Sequence, residues 1–186
     1  MALELNGTSI PSSGKMVCNG TSLKQLNIDG TKVWQSGLNL IAQNRWTATN
    51  WRDGYWSSST SELAVSAKWR TDWWNYMIVR STDALNLSGF AQITLSWWNS
   101  AGDINFHGFI GLSTNADLDA ADWHNTNISH VFVDAVGAAN MSGTNKVFSI
   151  PSSYRKNGVY LYVQRNYYKS ACTACETFHV TRAEFS

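Results

Sequence analysis

The pattern most readily read as chemistry is Cys172-Thr173-Ala174-Cys175, with His179 four residues further on. A CxxC pair can cycle between thiols and a disulfide, or supply half of a zinc site. A redox pair of the thioredoxin kind opens a helix within a βαβ unit, and the surrounding sequence offers none. A structural zinc needs four ligands, and only Cys18 and scattered histidines remain for it. The competing reading is a tight turn between the last two strands, with or without an incidental disulfide. Whether Cys172 and Cys175 are paired, metal-bound or free stays open.

Asp117, Asp119 and Asp122, with Asn115 close by, are oxygen ligands that calcium could use. They lack the EF-hand glycine and terminal glutamate, so a solvated loop or a capped turn is the preferred reading. His107, His124, His130 and His179 form no HExxH pair, and there is no GxSxG elbow, P-loop or dinucleotide fingerprint. The 13 acidic residues lie mostly near turns and offer no favoured carboxylate pair for glycoside hydrolysis. A non-enzymatic protein without metal or cofactor is expected.

The remaining signal is aromatic. The chain has ten Trp, seven Tyr and seven Phe. Ten tryptophans exceed what one core of this size easily encloses, so some are expected at the surface or at an interface. Trp46, Trp51 and Trp56 recur every five residues among Asn, Arg, Asp and Ser, and Trp69, Trp73, Trp74 and Tyr76 follow. An indole can stack on the apolar face of a sugar while Asn, Asp and Arg bond its hydroxyls. Trp46, Trp51, Trp56 and Trp73 are therefore the candidate glycan-stacking set. The same residue types anchor protein interfaces, and the plainer alternative is that most of them fill a core. Where tryptophans are adjacent, as in Trp73-Trp74 and Trp97-Trp98, a strand sends the two side chains to opposite faces. One of each pair could then be structural and the other presented outward.

The elements that would carry these residues are strands. Leu63, Val65, Ala67 and Trp69 alternate through 62–69, a clean period of two. Further strands are expected at 76–80, 90–98, 106–112, 130–136, 146–150, 159–164 and 178–185. In the strand over 159–164, Tyr160, Tyr162 and Gln164 point outward. No segment makes a convincing amphipathic helix, although 116–123 could form one turn capped from 113–115. Eight or so short strands at this spacing argue for an all-β jelly roll or β-sandwich over residues 38–186.

Residues 1–36 are different. Asn6-Gly7-Thr8-Ser9-Ile10 is echoed by Asn19-Gly20-Thr21-Ser22-Leu23 and by Asp29-Gly30-Thr31-Lys32-Val33. Asn-Gly and Asp-Gly supply the positive φ angles of type I′ hairpin turns. Two or three short strands joined in this way bury little and must pack on something else, so this is read as a β-hairpin attachment arm. Val17, Leu23, Leu26, Ile28, Val33 and Trp34 are its candidate interface.

The run Val17-Cys18-Asn19-Gly20-Thr21-Ser22-Leu23-Lys24-Gln25-Leu26-Asn27-Ile28-Asp29-Gly30-Thr31-Lys32-Val33-Trp34 resembles the N-terminal arm of virion proteins from phages and prophages of Gram-positive gut bacteria. Asn86-Leu87-Ser88-Gly89-Phe90, Phe109-Ile110-Gly111-Leu112-Ser113 and Gly158-Val159-Tyr160-Leu161-Tyr162-Val163 are similar to strand patterns in the jelly-roll domains behind such arms. The resemblance implies a tail, baseplate or head-decoration component, homo-oligomeric and often trimeric, seated by its arm on other virion proteins. It implies no catalytic residues. Host cell-surface polysaccharide is then the expected ligand, with ligand-free decoration and a free carbohydrate-binding module or lectin as alternatives.

Bulk properties agree with this expectation. Charged residues make up 15% of the chain and the net charge is +1, without the basic surplus a nucleic-acid binder needs. No apolar run reaches the roughly 20 residues that span a bilayer. The first residues lack the basic start and apolar stretch of a signal peptide, so assembly in a host cytoplasm is expected.

Overall fold

The computed structural model describes residues 3–5, 8–10, 16–18, 21–23, 25–28, 31–35, 37–67, 74–100, 106–122, 124–136, 141–167 and 177–186; up to Gln35, and at Phe106, the backbone alone is described. The arm is three separate antiparallel hairpins: β1 (Leu3–Leu5) with β2 (Thr8–Ile10), β3 (Met16–Cys18) with β4 (Thr21–Leu23), and β5 (Gln25–Ile28) with β6 (Thr31–Gln35). Between the partners lie Asn6-Gly7, Asn19-Gly20 and Asp29-Gly30, so each echo of the motif marks one hairpin. No strand ladder joins them to the body among the described residues. Val17, Leu23, Leu26, Ile28, Val33 and Trp34 all fall on these strands.

The body opens at β7 (Leu38–Asn39), which pairs with the end of the last strand. A single helical turn, α1 (Leu40–Gln43), follows. The Asn39 side chain caps it by accepting from the Ile41 and Ala42 N–H groups, and Asn44 closes it at φ 50°. After it come β8 (Trp46–Arg52), β9 (Gly54–Ser58), β10 (Leu63–Ala67), β11 (Asn75–Ser81), β12 (Leu85–Asn86), β13 (Gln92–Asn99), β14 (Phe106–Ser113), β15 (His130–Val136), β16 (Ser142–Ser149), β17 (Asn157–Tyr167) and β18 (Thr177–Phe185). The helical turn expected over 116–123 is absent among its described residues.

The strands form two antiparallel sheets. Sheet I runs β16-β13-β18-β10-β9 with β7 beside β18, and sheet II runs β15-β14-β17-β11-β8 with β12 beside β17. The chain crosses repeatedly between the sheets, staying in one sheet only from β9 to β10, β11 to β12 and β14 to β15, and both lateral edges are turned by consecutive strands, β8 to β9 and β15 to β16. The result is an all-β sandwich of jelly-roll type. Its core is the apolar alternation of the facing strands, including Leu63 and Val65, Ile93 and Leu95, Val79, Ile110, Leu161 and Val163, Phe178 and Phe185.

Bulges set which side chains enter that core. In β18, Phe178 and Val180 are buried and so are Ala183 and Phe185; the phase changes where the register against β13 shifts beyond Ser96. In β16 the phase changes near Asn145, held at φ 51°, whose N–H donates to Ser96 Oγ. Trp97 lies flat over Gly143, where a Cβ would stand 2.3 Å from the ring.

Candidate functional site

Trp97 and Trp98 are consecutive on β13, so they leave on opposite sides of sheet I. Trp97 is buried in the core, while Trp98 is 41% exposed on the outer face. Register places Trp98 directly across from His179 of β18. Their rings stack parallel, with centroids 3.7 Å apart and planes 2° apart. His179 Nδ1 lies 2.8 Å from Glu62 Oε1, so its N–H donates to the carboxylate. Glu62 is itself set by a tight turn, in which Ser59 Oγ accepts from the Glu62 N–H and the Ser59 N–H donates to the Glu62 carbonyl.

Apart from Tyr55 and Val147, which are 46% and 57% exposed, the neighbouring side chains of this face are small or polar. The row through the stacked pair reads Ser57, Ala64, His179, Trp98, Ser142 across five strands, and the next reads Tyr55, Ser66, Thr177. Ser66 and Thr177 share a hydroxyl–hydroxyl bond of 2.7 Å. Arg182 donates to Glu184 and to Asn145 Oδ1. Chemically, this is an aromatic platform held upright by an imidazole, inside a field of hydroxyl groups. No hydroxyl among the described residues is hydrogen-bonded to His179. Among the described residues no three His, Cys, Asp or Glu gather around a point where a metal ion could sit.

The structure disperses the set nominated from sequence. Trp46 is only 6% exposed and belongs to the core, which corrects its candidacy as a stacking surface. Trp56 is half-buried, and it packs against the core from β9. Trp73, Cys172 and Cys175 lie outside the described residues. Trp51 is 59% exposed, but it pairs with the core residue Met77 and sits on the inward side of edge strand β8. Asn50 and Arg52, expected to help it hold a sugar, fall on the opposite side of the strand. There Tyr76 Oη donates to Asn50 Oδ1, the Asn50 amide donates to Asp119, and Trp74 packs on the Tyr76 ring. Burial and the Asp119 carboxylate raise the Tyr76 pKa, against the opposing influence of Arg52.

This cluster belongs to the outer face of sheet II, which residues 114–122 and 124–129 cover. Tyr162 and Gln164 were expected to point outward, and they do, but both are fully buried beneath the loop. Tyr162 Oη donates to the Asn115 carbonyl at 2.7 Å, and its pKa is pushed up to about 12 by burial. Leu118 and Ile128 reach down from the loop to Ile78, Phe109 and Tyr162, making a second small core. The Arg80 guanidinium lies 4.4 Å over the Tyr160 ring and donates from Nε to the Ala116 carbonyl. Two of the carboxylates considered for calcium hold the loop in place: Asp119 accepts from Asn50 of β8, and Asp122 accepts from the backbone of His124 and Asn125 and from the Asn125 amide. These bonds, the Asn125 amide first, hold the Asp122 carboxyl below its usual range.

Sequence reasoning expected one member of the Trp97-Trp98 pair to face outward, and alternation was the signal. It had no means of finding Glu62 and His179, which are 117 residues apart in the chain.

No protein-family model matches the sequence, and no curated protein matches it either. Among solved structures, a chain of the Gap123 glycosylation-associated complex of Streptococcus agalactiae is similar over 80% of this chain at 12% identity (TM-score 0.42), and this chain spans only 25% of its length. The CBM27-1 module of Caldicellulosiruptor saccharolyticus, solved with mannohexaose, is similar over 80% of this chain and 96% of its own at 9% identity (TM-score 0.44). The K3 adhesin domain of Lys-gingipain from Porphyromonas gingivalis is similar over 80% and 88% at 20% identity (TM-score 0.35).

Proposed function

We propose that this is a non-catalytic, glycan-binding virion component, seated by its hairpin arm on a phage particle and presenting the outer face of sheet I to host cell-surface polysaccharide. The observation that carries the binding part is Trp98. It is a large indole left 41% exposed and stacked on an imidazole that Glu62 holds in place. A ring fixed in advance loses little conformational freedom when a sugar settles on it, so more of the contact energy appears as affinity. Single-site sugar binding is weak and becomes useful when many copies act together. A homo-oligomer on a particle supplies those copies.

The attachment part rests on the arm. Its motif resembles virion arms, and its three hairpins are each too small to be stable alone. Their edges, which carry no further ladder among the described residues, and the residues Val17, Leu23, Leu26, Ile28, Val33 and Trp34 offer strand addition and burial to a neighbouring virion protein. Assembly inside a host cell before release belongs to the same reading.

The test is tryptophan fluorescence during titration with host cell-wall polysaccharide, on the wild type and on Trp98→Ala. A saturable shift that the variant loses supports the reading. Equal shifts in both would move the site elsewhere, and no shift in either would leave an architectural component. Removing residues 1–36 should abolish incorporation into particles while the shift persists.

A further inference from the structure

The cover over sheet II stops short of its edge strand. Between residues 124–128 and β15 an open groove of about 380 Å³ remains, within the size range of small-molecule sites. Its floor is apolar, from the nearly buried Phe109 and Ile128 with Val131 beside them, and its rim is polar, from His124, Asn125 and Asp134. Asp134 stands on β15 directly across from Phe109, so a carboxylate borders the aromatic floor.

One wall of the groove is fixed by buried polar groups of β17. Thr126 Oγ1 donates to Gln164 Oε1 at 2.6 Å, Gln164 Nε2 donates to Asn166 Oδ1 at 2.7 Å, and Asn166 Nδ2 donates to the carbonyls of Asp122 and Asn125 at 2.9 and 3.1 Å. Gln164 and Asn166 are fully buried. Apolar residues could hold the loop there, as Leu118 does further along, and a buried polar chain is tolerable only when every member is satisfied. What this chain of bonds secures is the position of His124 and Asn125 at the rim.

We infer that this groove is a second carbohydrate subsite, taking one neutral pyranose ring of a glycan. The inference rests on the glycan-binding reading of the protein but uses different residues. A pyranose presents an apolar C–H face, suited to Phe109, Ile128 and Val131, and a ring of hydroxyls. Neighbouring hydroxyls can donate together to the Asp134 carboxylate, a charge-assisted bond stronger than a neutral one. Charge sets the class of sugar. Asp134 and Asp122 are the carboxylates nearest the groove; His107, 3.8 Å from Asp134, has its pKa lowered by burial against that carboxylate's pull. Arg165, the nearby cation, lies on the core side of β17. Uronic and sialic acids are repelled; neutral hexoses and N-acetylhexosamines are not. With Trp98 on the opposite outer face, one chain could hold two glycan strands.

The experiment is an NMR titration of the labelled full chain with mannohexaose, cellohexaose and chitohexaose, and with hexagalacturonate as the acidic counterpart. Amides of Asn125, Thr126 and 131–134 report the groove, and the Trp98 indole N–H reports the platform. At least one neutral glycan is expected to shift the groove amides saturably, and hexagalacturonate is not. Asp134→Ala and the near-isosteric Asp134→Asn should weaken groove binding about tenfold and leave the Trp98 response unchanged. Trp98→Ala should do the reverse. Groove shifts without any Trp98 shift would overturn the platform and leave the groove standing. Shifts at Trp98 alone, or groove shifts indifferent to Asp134, would overturn the groove, as would silence there with all three neutral glycans.

Discussion

On sheet II the outward residues of β17, Tyr160, Tyr162, Gln164 and Asn166, are met by a loop that answers nearly every polar atom and adds Leu118 and Ile128 as apolar pegs. On sheet I the outward residues Ser57, Ser66, Thr177, Ser142 and Trp98 meet one another and no described loop. A face with large half-polar side chains gains from being covered, because burial and hydrogen bonding act together there. A face of hydroxyls gains little, and the large aromatics on it, Trp98 and Tyr55, stay 41% and 46% exposed. The first face contributes to stability, the second is the one we propose for recognition, and mutation should separate the two.

The largest expected effect is on the covered face. Leu118→Ala removes a peg from the second core and should cost about 3 kcal/mol in denaturant unfolding, with glycan binding at Trp98 unchanged. A loss under about 1 kcal/mol would mean that the cover contributes little and that the faces are alike. Gly111→Ala belongs to the same face. Its Cβ would stand 2.2 Å from the His130 carbonyl oxygen and 2.6 Å from Ile128, so overpacking of about 2 kcal/mol is expected.

Tyr162→Phe removes the bond to Asn115 and should cost about 1 kcal/mol at neutral pH. Its alkaline behaviour sharpens the point. The folded pKa is raised to about 12 from 10.0, so the stabilisation is complete below pH 10 and is lost as pH rises towards 12. Unfolding midpoints of the wild type should fall over that window, and those of Tyr162→Phe should fall less.

His107 acts at the other end of the scale. Burial, opposed by Asp134, lowers its pKa from 6.5, with His124 and Arg165 adding to the lowering and Asp122 opposing it. The unfolded chain then takes up the proton first, so stability is full above pH 6.5 and declines as pH falls below it. His107→Gln should flatten that decline in thermal melts across pH 7 to 5.

The smallest effect on stability is expected on the open face. Trp98→Ala should change unfolding free energy by no more than about 0.5 kcal/mol, while abolishing the polysaccharide-dependent fluorescence shift. A large destabilisation would show that Trp98 is structural after all, and the contrast between the faces would fail.

Much of the sandwich was legible because alternation is a local property. β10, β11, β13, β14, β15, β17 and β18 all lie close to where period-two reasoning puts them, and the Asn-Gly and Asp-Gly pairs marked the three hairpins of the arm. β8 and β9 were not legible as strands. Trp46 and Trp51 are five apart, which in a regular strand means opposite faces, yet both lie on the inward side because the register shifts at Ile78/Val79 and absorbs one residue of β8. Between Trp51 and Trp56 the chain changes sheets at Asp53, held at φ 48°. A spacing that looked like a ligand surface was a bulge and a corner.

By itself, then, the sequence determined that strands form, roughly where, and that Trp97 and Trp98 must part, since these follow from the geometry of one strand. The tertiary structure decided that Tyr162 and Gln164 would be buried beneath a loop while Trp98 stays 41% exposed. It also brought Glu62 and His179 together beside Trp98, and Gln164 and Asn166 beneath Asn125. Those outcomes depend on pairings between residues far apart in the chain, whose register is set by the packed core and its bulges rather than by any local preference.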